Sequence, residues 1–91
     1  MTVKLTGPLI CADDREAEIV RTYMPEHIRL TREEPGCLSF DVSATDHPLV
    51  WQVDEAFASQ ADFDAHQART KESAWGKASV GIARDFKITE G

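Results

Sequence analysis

A chain of 91 residues is long enough for one hydrophobic core and too short for two, since single domains run to roughly 50–200 residues, so residues 1–91 are read as one domain. With 42% hydrophobic and 29% charged residues, its composition is far from that of disordered chains. Sixteen acidic against ten basic residues give a net charge of −6, and the basic ones are scattered, which argues against phosphate backbones as partners.

Val3, Leu5, Leu9 and Cys11 recur at strand spacing, so the first element reads as a strand over about residues 3–12. Gly7-Pro8 interrupts it, and because proline cannot donate to a ladder, a bulge or an unpaired edge position is expected there rather than an unbroken central strand. Asp13 and Asp14 offer a helix N-cap, and Ala17, Val20, Met24, Ile28 and Thr31 follow at helical spacing, beside a second stripe of Ile19, Tyr23, His27 and Leu30. Pro25 in its middle predicts a kink or two abutting helices, with the break near Tyr23 to Met24. Pro35-Gly36 ends the helix. Leu38, Phe40 and Val42, then Leu49, Trp51 and Val53, alternate on either side of a Thr45-to-Pro48 turn, which predicts an antiparallel hairpin. Ser59 with Asp62 resembles a capping box for a short helix running to about Ala68. A second start at Thr70 leads to Ala74, Trp75 and Ala78 on one face, stopped at Gly81. Arg84, Phe86 and Ile88 alternate through a last strand.

The order strand, helix, strand, strand, helix, strand is that of the α+β, ferredoxin-like split βαβ fold, with helices on one face of a four-stranded antiparallel sheet. Apolar residues on both strand parities predict that the other face is covered, and a homodimer packing sheet on sheet meets that need while enlarging a thin core. No apolar run approaches the ~18 residues of a membrane span, and no signal-peptide pattern follows Met1, so a cytoplasmic protein without membrane contact is expected. Cys11 and Cys37, the only cysteines, are read as small buried hydrophobes.

There is no GxGxxG, P-loop, GxSxG or HExxH motif, and His27, His47 and His66 stand about 20 residues apart without metal-ligand spacing, so no metal is expected. His66 is the foremost candidate for chemistry, because it lies on the short helix after Phe63 and close in sequence to Trp75. Trp51 and Trp75 are candidate pocket walls as well as candidate core. Asp41, Asp54, Asp13-Asp14 and Glu33-Glu34 are read as solvated or helix-end charges.

Glu34-Pro35-Gly36-Cys37-Leu38-Ser39-Phe40, then the hairpin, then Phe63-Asp64-Ala65-His66, resembles the antibiotic biosynthesis monooxygenase family over nearly the whole chain. The resemblance implies a dimeric ferredoxin-like α+β barrel and oxygenation of a small phenol, hydroquinone or polyketide-like aromatic by O2, with no cofactor. In such chemistry the substrate supplies the electrons, and the protein's task is deprotonation and anion stabilisation. It makes His66 the candidate catalytic base. Phe40, Trp51 and Trp75 become candidate aromatic walls, and Tyr23, Arg69 and Arg84 candidate partners of an anion. Where family members often carry a glutamate and then an aromatic in the third strand, this chain has Gln52 and Asp54, and Thr70-Lys71 replaces a familiar Pro-His pair. Related haem-degrading enzymes use an asparagine, and this chain has none. The alternative is a non-catalytic dimeric small-molecule-binding module on the same fold. A pocket of ~300 Å3 or more between sheet and helices, with His66 opening into it, would favour the enzyme.

Overall fold

The computed structural model describes residues 1–91. Its elements are β1 (Val3–Ile10), α1 (Asp14–Arg32), β2 (Cys37–Ala44), β3 (Val50–Phe57), α2 (Gln60–Glu72), α3 (Ala74–Ala78), β4 (Ala83–Arg84) and β5 (Lys87–Glu90). The helix starts are set locally. Asp13 accepts the Glu16 N–H at 3.0 Å, while Glu16 reaches back to the Ala12 N–H at 2.7 Å. Ser59 accepts the Asp62 N–H and donates its own hydroxyl to that carboxylate, closing the second cap.

The antiparallel sheet runs β2-β3-β1-β4, with β5 also pairing β1, so the ferredoxin-like layout holds with five strands where four were expected. The extra strand comes from division of the last one. Leu9 pairs with Arg84 and Thr6 with Lys87, so the same register runs through both pieces with no residue inserted. Between them, Asp85 N–H donates to the Pro8 carbonyl at 3.0 Å, and proline has no N–H to return the bond. Gly7, at φ 151°, lets the Asp85 backbone lean over it where a Cβ would collide. The Gly7-Pro8 expectation is therefore corrected in its location: β1 is a central strand, paired with β3 without a register shift, and the interruption lies in its other neighbour.

Of the two expectations for α1, the division into two abutting helices is corrected. α1 is one continuous helix with Pro25 inside it. Proline removes one intrahelical bond there, and the buried face of Ala17, Val20, Met24, His27 and Thr31 supplies packing on both sides of the gap. α2 runs four residues past Ala68, and the next start is Ser73 instead of Thr70, since Ser73 Oγ accepts the Gly76 N–H at 3.0 Å. α3 ends at Ala78, before Gly81, with Ser79 as its cap.

The core lies between the helices and the inward residues of the sheet, among them Val3, Leu5, Leu9, Phe40, Val53 and Phe57. Cys11 is buried, whereas Cys37 is only half-buried against the core edge, so the expectation for the second cysteine is corrected; both are free thiols. The outer sheet face carries Ile10, 40% exposed, and a polar cluster in which Thr6 donates to Asp54 at 2.5 Å and Gln52 to Thr6 at 3.1 Å. No helix is long and apolar enough to cross a membrane.

Candidate functional site

Helical spacing on α1 and α2 aims two imidazoles into the core. His27 sits three residues after Met24 and four before Thr31 on the buried face of α1, and His66 three residues after Phe63 on α2. Both are almost fully enclosed, His27 at 4% exposure and His66 at 2%. Their ring centroids lie 5.7 Å apart, and Phe40 stands 5.3 Å from His27 and 5.8 Å from His66.

The polar surroundings of His66 define a seam through the core. Its Nδ1 is 3.0 Å from Glu34 Oε1, and the other oxygen of Glu34 receives Arg69 Nε–H. Arg69 is itself held by Thr31, whose hydroxyl accepts from the guanidinium at 3.0 Å. A carboxylate facing arginine offers only acceptor oxygens, so His66 Nδ1 carries the proton and Nε2 the lone pair. That lone pair points toward the Thr70 hydroxyl, 3.4 Å away, and toward Glu55 Oε1 at 3.6 Å, beyond hydrogen-bond range. The expectation that Glu34 is a solvated helix-end charge is corrected: its side chain is 18% exposed, because His66 and Arg69 of α2 reach it.

Burial acts on each titratable group. It pushes the Glu55 carboxyl up to about 7, with the negative charge of Glu34 adding to the effect. Burial also brings His27 down to about 3, helped by positive charge at His66, Arg69 and Arg84. His66 is lowered by burial too, but Glu34, by charge and by hydrogen bond, pulls it back toward its ordinary value. Glu55 Oε1 and His27 Nδ1 are buried without any hydrogen-bond partner.

Both unpartnered groups line a cavity of about 100 Å3 between sheet and helices, together with His66, Phe40, Trp75 and Arg84. It is about a third of the size expected for a small-molecule site and holds roughly one aromatic ring. Of the residues singled out in the sequence, His66, Phe40, Trp75 and Arg84 therefore meet at one place. Arg69 stands behind Glu34 and does not line the cavity. Trp51 lies in a separate surface groove with Pro25 and Val42, and Tyr23, 37% exposed, faces an outer groove between α1 and α3. Arg84 stacks 6.0 Å from the Trp75 centroid. No three His, Cys, Asp or Glu side chains converge as metal ligands.

Sequence reasoning passed over Glu55, His27 and Glu34. Glu55 follows Val53 and precedes Phe57 on the inward parity of β3, and a carboxylate at such a position is a legible signal. Attention to Gln52 and Asp54 missed it, since both point to the outer face.

The fold is a ferredoxin-like α+β sheet with its helices on one face, and an imidazole and a carboxyl line the cavity between them. Residues 11–78 match the model of the family described as antibiotic biosynthesis monooxygenase, and the chain belongs to that family. Among solved structures it is similar to Rv0793 from Mycobacterium tuberculosis, with 15% identity and a TM-score of 0.78 over 100% of this chain and 95% of that one. A protein from Nitrosomonas europaea assigned as an antibiotic biosynthesis monooxygenase gives 23% identity and a TM-score of 0.73, over 100% and 98% of the two chains. One from Deinococcus radiodurans with the same assignment gives 16% and 0.74, over 100% and 92%. At these identities the likeness is one of fold. No curated protein matches the sequence.

Proposed function

We propose that the protein is a cofactor-independent monooxygenase acting on a small, one-ring phenol or hydroquinone, with His66 as its base. The observation that carries this reading is the orientation of His66: Glu34 holds Nδ1, which leaves the Nε2 lone pair on the cavity side. A phenol of pKa about 10 placed there gives its proton to Nε2. The phenolate then passes one electron to O2, and the phenoxyl and superoxide radicals join through a C–O bond at an unsubstituted ring carbon. Loss of the proton from that carbon with cleavage of the O–O bond yields a quinone, and the departing hydroxide takes a proton as water. Arg84, the one Arg or Lys on the cavity wall, supplies positive potential for the anions, and Phe40 and Trp75 flank the ring. Trp51, Tyr23 and Arg69 have no direct part; Arg69 acts through Glu34. The active form is proposed to be a homodimer joined through the sheet faces.

The volume of the cavity excludes fused polycyclic substrates without repacking, and it favours one alternative, a binding module that holds a small aromatic without reacting. Oxygen uptake by metal-free protein with monocyclic hydroquinones, compared with His66→Ala, separates the two. Saturable uptake above autoxidation that disappears in the variant is expected. Uptake retained in the variant removes His66 as base, and no uptake with ligand bound selects the binding module.

A further inference from the structure

The cavity beside His66 continues outward. Gln67, Thr70 and Arg84 line it and also line a wider surface depression of about 390 Å3. Lys71 and the exposed Val80 line the depression but not the cavity. The two spaces differ in chemistry. The inner one holds the unpartnered Glu55 oxygen and His66, whereas the outer one is lined by two cations, Lys71 and Arg84, and by no carboxylate, on a chain of net charge −6. Neither cation is spent on an acidic side chain, since all the ion pairs of the fold involve Arg21, Arg29, Arg32, His66 or Arg69. Arg84 is nevertheless fixed in place, donating to the Ser79 carbonyl at 2.8 Å and resting against Trp75.

We propose that cavity and depression form one two-part site for a hydroxyaryl carboxylate, with the hydroxylated ring inside, its hydroxyl on His66 and Glu55, and its carboxylate outside on Arg84 and Lys71. The inner volume accepts one ring and nothing more, so any further part of a ligand must emerge at the shared wall. There it meets the flat donor fork of an arginine and a lysine ammonium, which suit the two oxygens of a carboxylate. Val80 and Ile82 give the depression an apolar side for a short methylene spacer. In a protein of net negative charge, a cationic mouth also guides an anion toward the cavity beside His66. This inference rests on the reading of the cavity as a hydroxyaryl site and adds the charge that selects among hydroxyaryl compounds.

The test is equilibrium binding, independent of turnover, of 3-(4-hydroxyphenyl)propanoate and its uncharged amide, followed by calorimetry at low salt. The acid is expected to bind about three- to tenfold more tightly than the amide, with the advantage shrinking as salt rises. In Lys71→Gln, and further in Lys71→Gln/Arg84→Gln, the ratio of the two affinities falls toward unity, with thermal melts recording that each variant is folded. Equal binding of acid and amide by the wild type, or an acid preference that survives the double substitution, overturns the two-part site and leaves the proposed function standing. Failure of both compounds to bind overturns the ring site and the two-part site together. Acid-selective binding without oxygen uptake keeps the site and discards the oxygenase.

Discussion

His27 and His66 lie 5.7 Å apart in the same core and are almost equally enclosed, yet they are opposite kinds of imidazole. His27 on α1 meets aromatic faces and leaves Nδ1 unpartnered, so burial first, and then the positive charge of His66, Arg69 and Arg84, holds it neutral down to about pH 3. His66 on α2 is lowered by burial too, but the Glu34 carboxylate opposes that shift, while Arg69 adds to it, and the bond to Glu34 fixes which nitrogen is left facing Glu55 and Thr70. Burial lowers both imidazoles, and only at His66 does a carboxylate oppose the lowering. The contrast is the reason the proposed chemistry is placed on α2 rather than α1.

The largest expected effect is on activity. His66→Ala lowers oxygen uptake by about 10²-fold or more, the usual contribution of a positioned base, whereas His27→Phe leaves most of the rate. Equal losses in the two variants, measured with one hydroquinone, would erase the distinction. Next comes Glu34→Ala, which strips His66 of its partner and makes it resemble His27. The His66 titration followed by NMR is expected to move further down in pH, and urea unfolding to show about 2–4 kcal/mol less stability, because Arg69 is left facing no charge. An unmoved titration would detach Glu34 from the base.

The pH dependence of stability separates the groups by sign. His27, lowered from 6.5 to about 3, releases its proton more readily in the folded state, so stability is lost as pH falls through that window. Glu55, raised from 4.5 to about 7, binds its proton more tightly when folded, so its contribution is present below 4.5 and lost as pH rises toward 7. Glu55→Gln is therefore expected to exceed the wild type by about 3 kcal/mol at pH 8 and to match it at pH 4. A gap that does not change with pH, in urea titrations at both values, would show that Glu55 does not titrate in this range. The smallest effect is His27→Phe itself: removing an unpartnered buried nitrogen raises stability by about 1 kcal/mol, and a loss of that size in the melting curve would reveal a partner for Nδ1.

The parts of this arrangement that are local were legible in the sequence. Asp13 and Ser59 signal their helices within three residues, and the alternation through Phe40 and Val42 marks the hairpin, although an irregularity between Cys37 and Ser39 leaves Leu38 59% exposed, off the buried side where the alternation put it. Glu34 was misread because its burial depends on His66 and Arg69, more than thirty residues away, and no local pattern encodes that contact. Pro25 and Pro8 were misjudged for a related reason. Each removes one hydrogen bond as expected, but the packing of α1 and the pairing of β1 with β3 decide whether the element itself breaks. Glu55 is the instructive omission, since its inward parity is a local signal that was open to reading.

The missing hydrogen of Pro8 reaches further than the sheet. The ladder lapses between Arg84 and Lys87, yet the register is the same on both sides of the gap, so Phe86 keeps the inward parity of Arg84 and joins it on the cavity wall. The wall of the chamber is therefore part sheet and part connector: Arg84 is set by the ladder, whereas Phe86 is carried across its gap.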